Sequence, residues 1–321
     1  MLARRAFSLI LAVAALTATF VILLPGSSGF AAAQGPRRSA IVWMGLEITG
    51  ENVSADMQSL AAHRTDLTGV SFEHYILVST GNMREILLLS NVTSGIESLG
   101  LQTFPMVITT SLANIEQLIA HPSNFIHEAV SAAVGAGYTG YNIDFEPSQT
   151  ANNSVAVSYA LFLTNLADAL HNAGKKLTVD IASWNPFWNF SALANTTVDT
   201  LYDMNTYASP FFNFGYALDS DLAVISPPRL GVGLITVNVN NGTLLQSNSV
   251  NERFLALEKD GVTSIAVWDM PLASYWWHDL SDFVGIGAPS NVDIVYGAGI
   301  SAAIAITAVA VYWVRTRRAR K

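Results

Sequence analysis

The stretch "GYTGYNIDFEP", residues 137–147, governs how the rest of the chain is read. Tyr141, Ile143 and Phe145 alternate with Asn142, Asp144 and Glu146. On a strand, alternate side chains share a face and stand roughly 6.5–7 Å apart along it. The aromatic and aliphatic set can pack outward against a layer of helices. The amide and the two acids then point inward. Burying two unpaired carboxylates costs several kcal/mol. One escape is for a carboxyl to keep its proton, its pKa raised by desolvation and a like-charged neighbour. That is the state of a general acid poised near neutral pH. The competing reading is a solvated polar face on an edge strand.

Working outward, short apolar runs alternate with helical patterns. The strand runs are "AIVWMGL" (40–46), "GVSFEHYILV" (69–78), "QTFPMVIT" (102–109), "GYNIDFE" (140–146), "KLTVDIASW" (176–184), "TLYDMNTYA" (200–208), "LGVGLIT" (230–236) and "SIAVWDM" (264–270). Between them, "SADMQSLAAH" opens on Ser54 as a helix cap. "SVAVSYALFLTNLADALHNAG" sets Val157, Ala160, Leu161, Leu163, Leu166 and Leu170 near helical spacing and stops at Gly174. "VNERFLALEKDG" stops at Gly261. Strand–helix alternation implies a parallel sheet with helices outside it. Eight strands over about 250 residues fit an α/β chain of the (β/α)8 TIM barrel type, with a doubly wound sheet as the alternative.

Other motifs narrow the chemistry. "GAGYTG" (135–140) matches GxGxxG, but it ends a helix and opens a strand, the reverse of a dinucleotide site. Its glycines are expected to make a tight helix-to-strand turn. His63, His74, His121, His127, His171 and His278 show no metal-ligand spacing, and no GxSxG elbow is present. The chain has no cysteine, which excludes disulfides and thiolate metal sites. No metal or other cofactor is expected.

The 321-residue chain is half apolar and carries a formal charge of −8. Residues 37–293 hold nine basic against 24 acidic residues, a net of −15. Such a body repels nucleic acid, which needs a basic footprint. It tolerates a neutral ligand such as a sugar.

The two ends read as membrane signals. Arg4 and Arg5 precede an apolar run, and Ala31 and Ala33 form a small-x-small site, as in a secretory signal peptide over 1–33. An uncleaved anchor is the alternative. Ile294 to Val314 carries no charge, enough for a transmembrane helix over 292–314, followed by a basic cytoplasmic tail over 315–321. The barrel, 38–288, is then expected on the outer side of the cell membrane, held by a single pass. Sequons at Asn52, Asn91, Asn152, Asn189, Asn195 and Asn241 agree with that side.

With these residues in view, "GYTGYNIDFEP" resembles the fourth-strand signature of glycoside hydrolase family 18, the chitinase-like enzymes, written DGxDxDxE. Gly140, Asp144 and Glu146 match, and Asn142 stands where Asp is commonest, as in the spore-cortex N-acetylglucosaminidase branch. "MNTYA" around Tyr207 resembles the sixth-strand "MxYD", and "GVTSIAVWDM" around Trp268 resembles the closing strand. Thr139, Asn205 and Ala208 depart from the pattern, and "MVITTS" lacks the SxGG after the third strand.

The resemblance implies substrate-assisted hydrolysis of glycans that contain N-acetylglucosamine. The sugar's own 2-acetamido oxygen attacks its anomeric carbon, outside the usual two-carboxylate scheme. Glu146 is implied as acid/base, Asp144 as the clamp on the acetamido N–H, Tyr207 as the donor to its oxygen and Trp268 as the floor of the sugar. Asn142 is implied as a support hydrogen-bonded to Asp144, and Asn205 belongs to the same substrate-binding set. Aromatics in "SWNPFWNF" and "PLASYWWHDL", namely Trp184, Phe187, Trp188, Trp276 and Trp277, are expected sugar platforms because loops after barrel strands build the active face. A catalytically silent glycan-binding surface protein, and a barrel hydrolase acting on sugars without an acetamido group, stay open beside the glycosidase.

Overall fold

The computed structural model describes residues 38–46, 52–86 and 90–285. The signal or anchor segment 1–33, the transmembrane helix over 292–314 and the tail over 315–321 lie outside the described residues. Among the described residues no helix is long and apolar enough to cross a membrane.

Nine strands form one sheet: β1 (Ser39–Met44), β2 (Gly69–Leu77), β3 (Met83–Glu85), β4 (Gln102–Thr109), β5 (Gly140–Phe145), β6 (Lys176–Ile181), β7 (Thr200–Asp203), β8 (Leu230–Ile235) and β9 (Ser264–Trp268). Eight pair in parallel in the order β1-β9-β8-β7-β6-β5-β4-β2, and a β1–β2 pairing closes the ring. The closed ring excludes the doubly wound alternative. The sequence reading missed β3, which turns back antiparallel on β2. Three residues are too few to carry a period. The sixth run also ends early, at Asp203, and Asn205–Tyr207 turn as a short 3-10 helix.

The two faces of the strands separate into two cores. Tyr141, Ile143 and Phe145 are fully buried among the outer helices, in one large cluster. Inside the barrel, Ile41, Trp43, Met106, Tyr202 and Ala266 form a smaller one. The largest packing helix is Asn153–Asn172, capped by the Asn152 side chain, which accepts from the Val155 N–H. Its buried stripe runs through Tyr159, Phe162, Leu163, Leu166 and Leu170. Val157 and Leu161, expected on that stripe, are 48% and 62% exposed. They stand two positions from Tyr159 and Leu163, roughly 200° round the helix. Asn52, not Ser54, caps the helix Val53–Ala62, accepting from the Ala55 N–H at 3.1 Å.

The glycines of 135–140 do make the turn. Gly137 ends the helix Ser123–Ala136 with φ of 80°, in the left-handed region that glycine favours. Gly140 opens β5 where a Cβ would lie 2.1 Å from the Lys176 carbonyl oxygen. No side chain fits there without parting β5 from β6.

Candidate active site

The C-terminal ends of the strands surround a cavity of about 350 Å³ lined by Trp43, Glu73, Met106, Asp144, Glu146, Asp180, Trp184, Met204, Tyr207 and Trp268. Of the residues singled out in the sequence, Asp144, Glu146, Tyr207, Trp268 and Trp184 converge here. Asp144 is the last inward residue of β5, and Glu146 follows the strand, its N–H bonded to the Thr109 carbonyl at 2.8 Å. Tyr207 ends the 3-10 turn after β7, held where the Thr206 hydroxyl meets the Asp203 and Gly233 carbonyls. At Gly233 a Cβ would come within 3.0 Å of the Tyr207 ring, so glycine makes room for it. Trp43 stands edge-on to Tyr207, ring centroids 6.4 Å apart.

Electrostatically the cavity is one-sided. Among the described residues that line it, four are carboxyls and none is lysine, arginine or histidine. Burial pushes the Asp144 carboxyl well above the usual carboxylate range, and the Glu146 and Glu73 charges push it further. Burial raises Glu146 as well. Asp180, only 2% exposed, is raised by burial and then by Asp144 and Glu146. The Tyr207 hydroxyl is held neutral by burial and by the surrounding acids, so it stays a hydrogen-bond donor. Among the described residues no cluster of three or more His, Cys, Asp or Glu is arranged to hold a metal ion.

The remaining expected site residues sit elsewhere. Asn142 is fully buried, and its Nδ2 donates to Asp180 Oδ1 at 3.0 Å rather than to Asp144. The twist of the sheet carries its amide toward β6, and Asp144 Oδ1 is left buried without a hydrogen bond. Asn205 does not line the cavity. Its Oδ1 accepts from the Ser183 N–H and hydroxyl, and its Nδ2 donates to Asp203 Oδ1 at 2.7 Å. It braces the loop after β6 against the turn that bears Tyr207.

Trp188 is 3% exposed and packs edge-on against Phe187 and Trp184, so it supports the wall instead of offering a sugar platform. Phe187, Trp276 and Trp277 are buried too, and Trp277 stacks on His63 at 4.1 Å. Trp184 alone of that group is open, at 58%.

Sequence reasoning passed over Trp43, Glu73 and Asp180. Each is an inward residue of a barrel strand. Each of the two acids is a single carboxyl interrupting an apolar run, where β5 offers two in three residues. Asn185 was also missed. Its Nδ2 donates to the Pro147 and Gln149 carbonyls, both at 2.9 Å, while its Oδ1 accepts from Ala151 and Phe187 N–H groups. One buried amide thus ties the loop that follows Glu146 to the loop that carries Trp184.

No family model matches the chain, and no curated protein does. Solved structures do. The chitinase from Chromobacterium violaceum superposes with a TM-score of 0.65 at 13% identity, over 77% of this chain and 99% of that one. The Bacillus cereus spore cortex-lytic enzyme SleL gives 0.67 at 13% identity, over 77% and 74%. The GH18 chitinase from the chitin utilization locus of Flavobacterium johnsoniae gives 0.58 at 13% identity, over 77% and 94%. At such identity the likeness is one of fold. The barrel has a chitinase-like fold, the one expected from the motif on β5.

Proposed function

We propose that this protein is a glycosidase that hydrolyses glycans containing N-acetylglucosamine. The observation that carries the reading is the meeting of Asp144, Glu146, Tyr207 and Trp268 in one cavity at the C-terminal mouth of a chitinase-like barrel. Active sites of such barrels lie at that face.

Each group has a part its surroundings suit. Glu146, whose carboxyl burial raises above its usual range, gives its proton to the leaving glycosidic oxygen and later takes one from water. The 2-acetamido oxygen of the substrate is the nucleophile, its tether giving a high effective concentration. Asp144 accepts the acetamido N–H and stabilises the cation formed on the ring. Tyr207, a neutral donor, aims the acetamido oxygen. Trp268 and Trp184 offer apolar faces to the sugar. The four carboxyls and the lack of cations favour a neutral glycan of the chitin type over one bearing carboxylates beside the scissile bond. We also place the barrel outside the cell membrane, anchored through residues 292–314. Protease digestion of intact cells tests this, since a barrel that is cleaved only after the cells are lysed would contradict it.

The activity is tested with a chromogenic N-acetyl-chitooligosaccharide. The wild-type chain is expected to release the chromophore, and Glu146→Gln to fall to background while still binding the sugar. Equal background release by both would leave only glycan binding. Equal turnover of a substrate without the acetamido group would replace the substrate-assisted scheme.

A further inference from the structure

Asp180 has no role in the mechanism above, yet it is the most deeply buried carboxyl on the cavity wall. The parallel register pairs Asn142 with Thr178 and Ile143 with Val179, and one further step sets Asp144 alongside Asp180. Neighbouring strands lie about 4.8 Å apart. Two carboxyls on adjacent strands, one of them buried and with no basic side chain among the described residues lining the cavity, do not readily both ionise. The Asn142 amide fixes Asp180 by donating to its Oδ1 and cannot itself titrate.

The other ionisable groups facing the pair do not relieve it. Glu146 and Glu73 are acids and bring no positive charge, and the tyrosines that feel these acids, Tyr159, Tyr202 and Tyr207, are themselves pushed upward and stay neutral.

We propose that Asp180 is a positioning residue for the reaction: it forms with Asp144 an acid pair across β5 and β6 that holds one proton between them, oriented by Asn142. The single negative charge of the pair lets Asp144 accept the acetamido N–H. The shared proton keeps a second charge from building beside Glu146. Titration then belongs to the pair and not to either residue. The inference rests on the glycosidase reading for its consequence in catalysis, but not for the pairing itself.

Two measurements on the full-length chain test it. Carbon-13 NMR of the aspartate carboxyls is expected to show Asp144 and Asp180 moving together in two coupled steps with pH. In Asp180→Asn, the Asp144 signal is expected to titrate in one step, and in Asp144→Asn the Asp180 signal likewise. An Asp180 signal that titrates in one step in the wild type, unmoved by Asp144→Asn, overturns the pairing, whether or not the chain is an enzyme.

The second measurement is of turnover. Asp180→Asn is expected to lower kcat about tenfold, within the roughly hundredfold reach of a misplaced group. Asn142→Asp combined with Asp180→Asn returns an acid–amide pair in reversed order and is expected to recover most of the loss. No recovery, with normal folding, overturns the role in catalysis. No turnover by the wild type overturns the glycosidase reading and leaves the titration to decide the pair.

Discussion

Two acid pairs lie on this barrel, and only one opens on a cavity. Asp144 and Asp180 face the mouth. Asp203 and Asp221 sit behind β7, 0% and 2% exposed, where the strand meets the helix Phe211–Leu222. Burial raises both carboxyls of the second pair, with Asp221 pushed up to about 6. Asn205 Nδ2 donates to Asp203 Oδ1 at 2.7 Å. A raised acid therefore does not mark a reaction centre by itself. Both pairs hold buried carboxyl oxygens without a partner, but only the first has a wall of aromatics and space for a ligand beside it. The second is spent on joining strand to helix.

That contrast can be broken in order of expected effect. Glu146→Gln should lower kcat about a thousandfold, the range of a lost general acid, with the thermal midpoint unchanged. A comparable loss from Asp221→Asn would erase the distinction between the pairs. Trp188→Ala should lower stability by about 3 kcal/mol in urea unfolding, because a buried aromatic leaves a cavity. Its open neighbour is the matched control.

The pH dependence sharpens the comparison next. Asp221 has a folded pKa above its unfolded value, so its stabilising effect is full below about pH 4 and fades as pH rises through about 6. Its loss should be on the order of 2 kcal/mol by pH 7. Asp221→Asn should flatten that decline while leaving the pH profile of turnover in place. Smallest is Trp184→Ala, exposed at the rim, expected to raise KM about fivefold with kcat nearly kept. Equal changes in kcat and KM would instead make Trp184 part of the wall.

The barrel was legible in the sequence because its strands are covered on both faces and read as apolar runs bounded by glycine and polar turns. The acids of β5 were legible because they break such a run twice in three residues. Asp180 and Glu73 break theirs once, and nothing along the chain says which face that one residue takes or what lies across from it. The parallel pairing of β5 with β6, and of β4 with β5 and β2, brings them to the same cavity wall as Asp144 across 36 and 71 positions of sequence. The aromatic loops failed as a signal for a related reason. Composition put Trp184 and Trp188 in one class, while the bends and turn between them send one to solvent and the other under the wall. Asn205 was placed in the sugar site by its neighbour Tyr207, but its amide is fully used by Ser183 and Asp203.

Gly140 has a consequence beyond the turn it makes. A methyl group there would strike the carbonyl of Lys176, so the foot of β5 can take only one height against β6. Four residues higher, that height becomes the alignment of two acids. A substitution at the far end of the strand from the substrate would therefore be read at the mouth as a change of acidity, with no pocket residue altered. Variation at Gly140 belongs among the alleles to screen for loss of turnover in a well-folded protein.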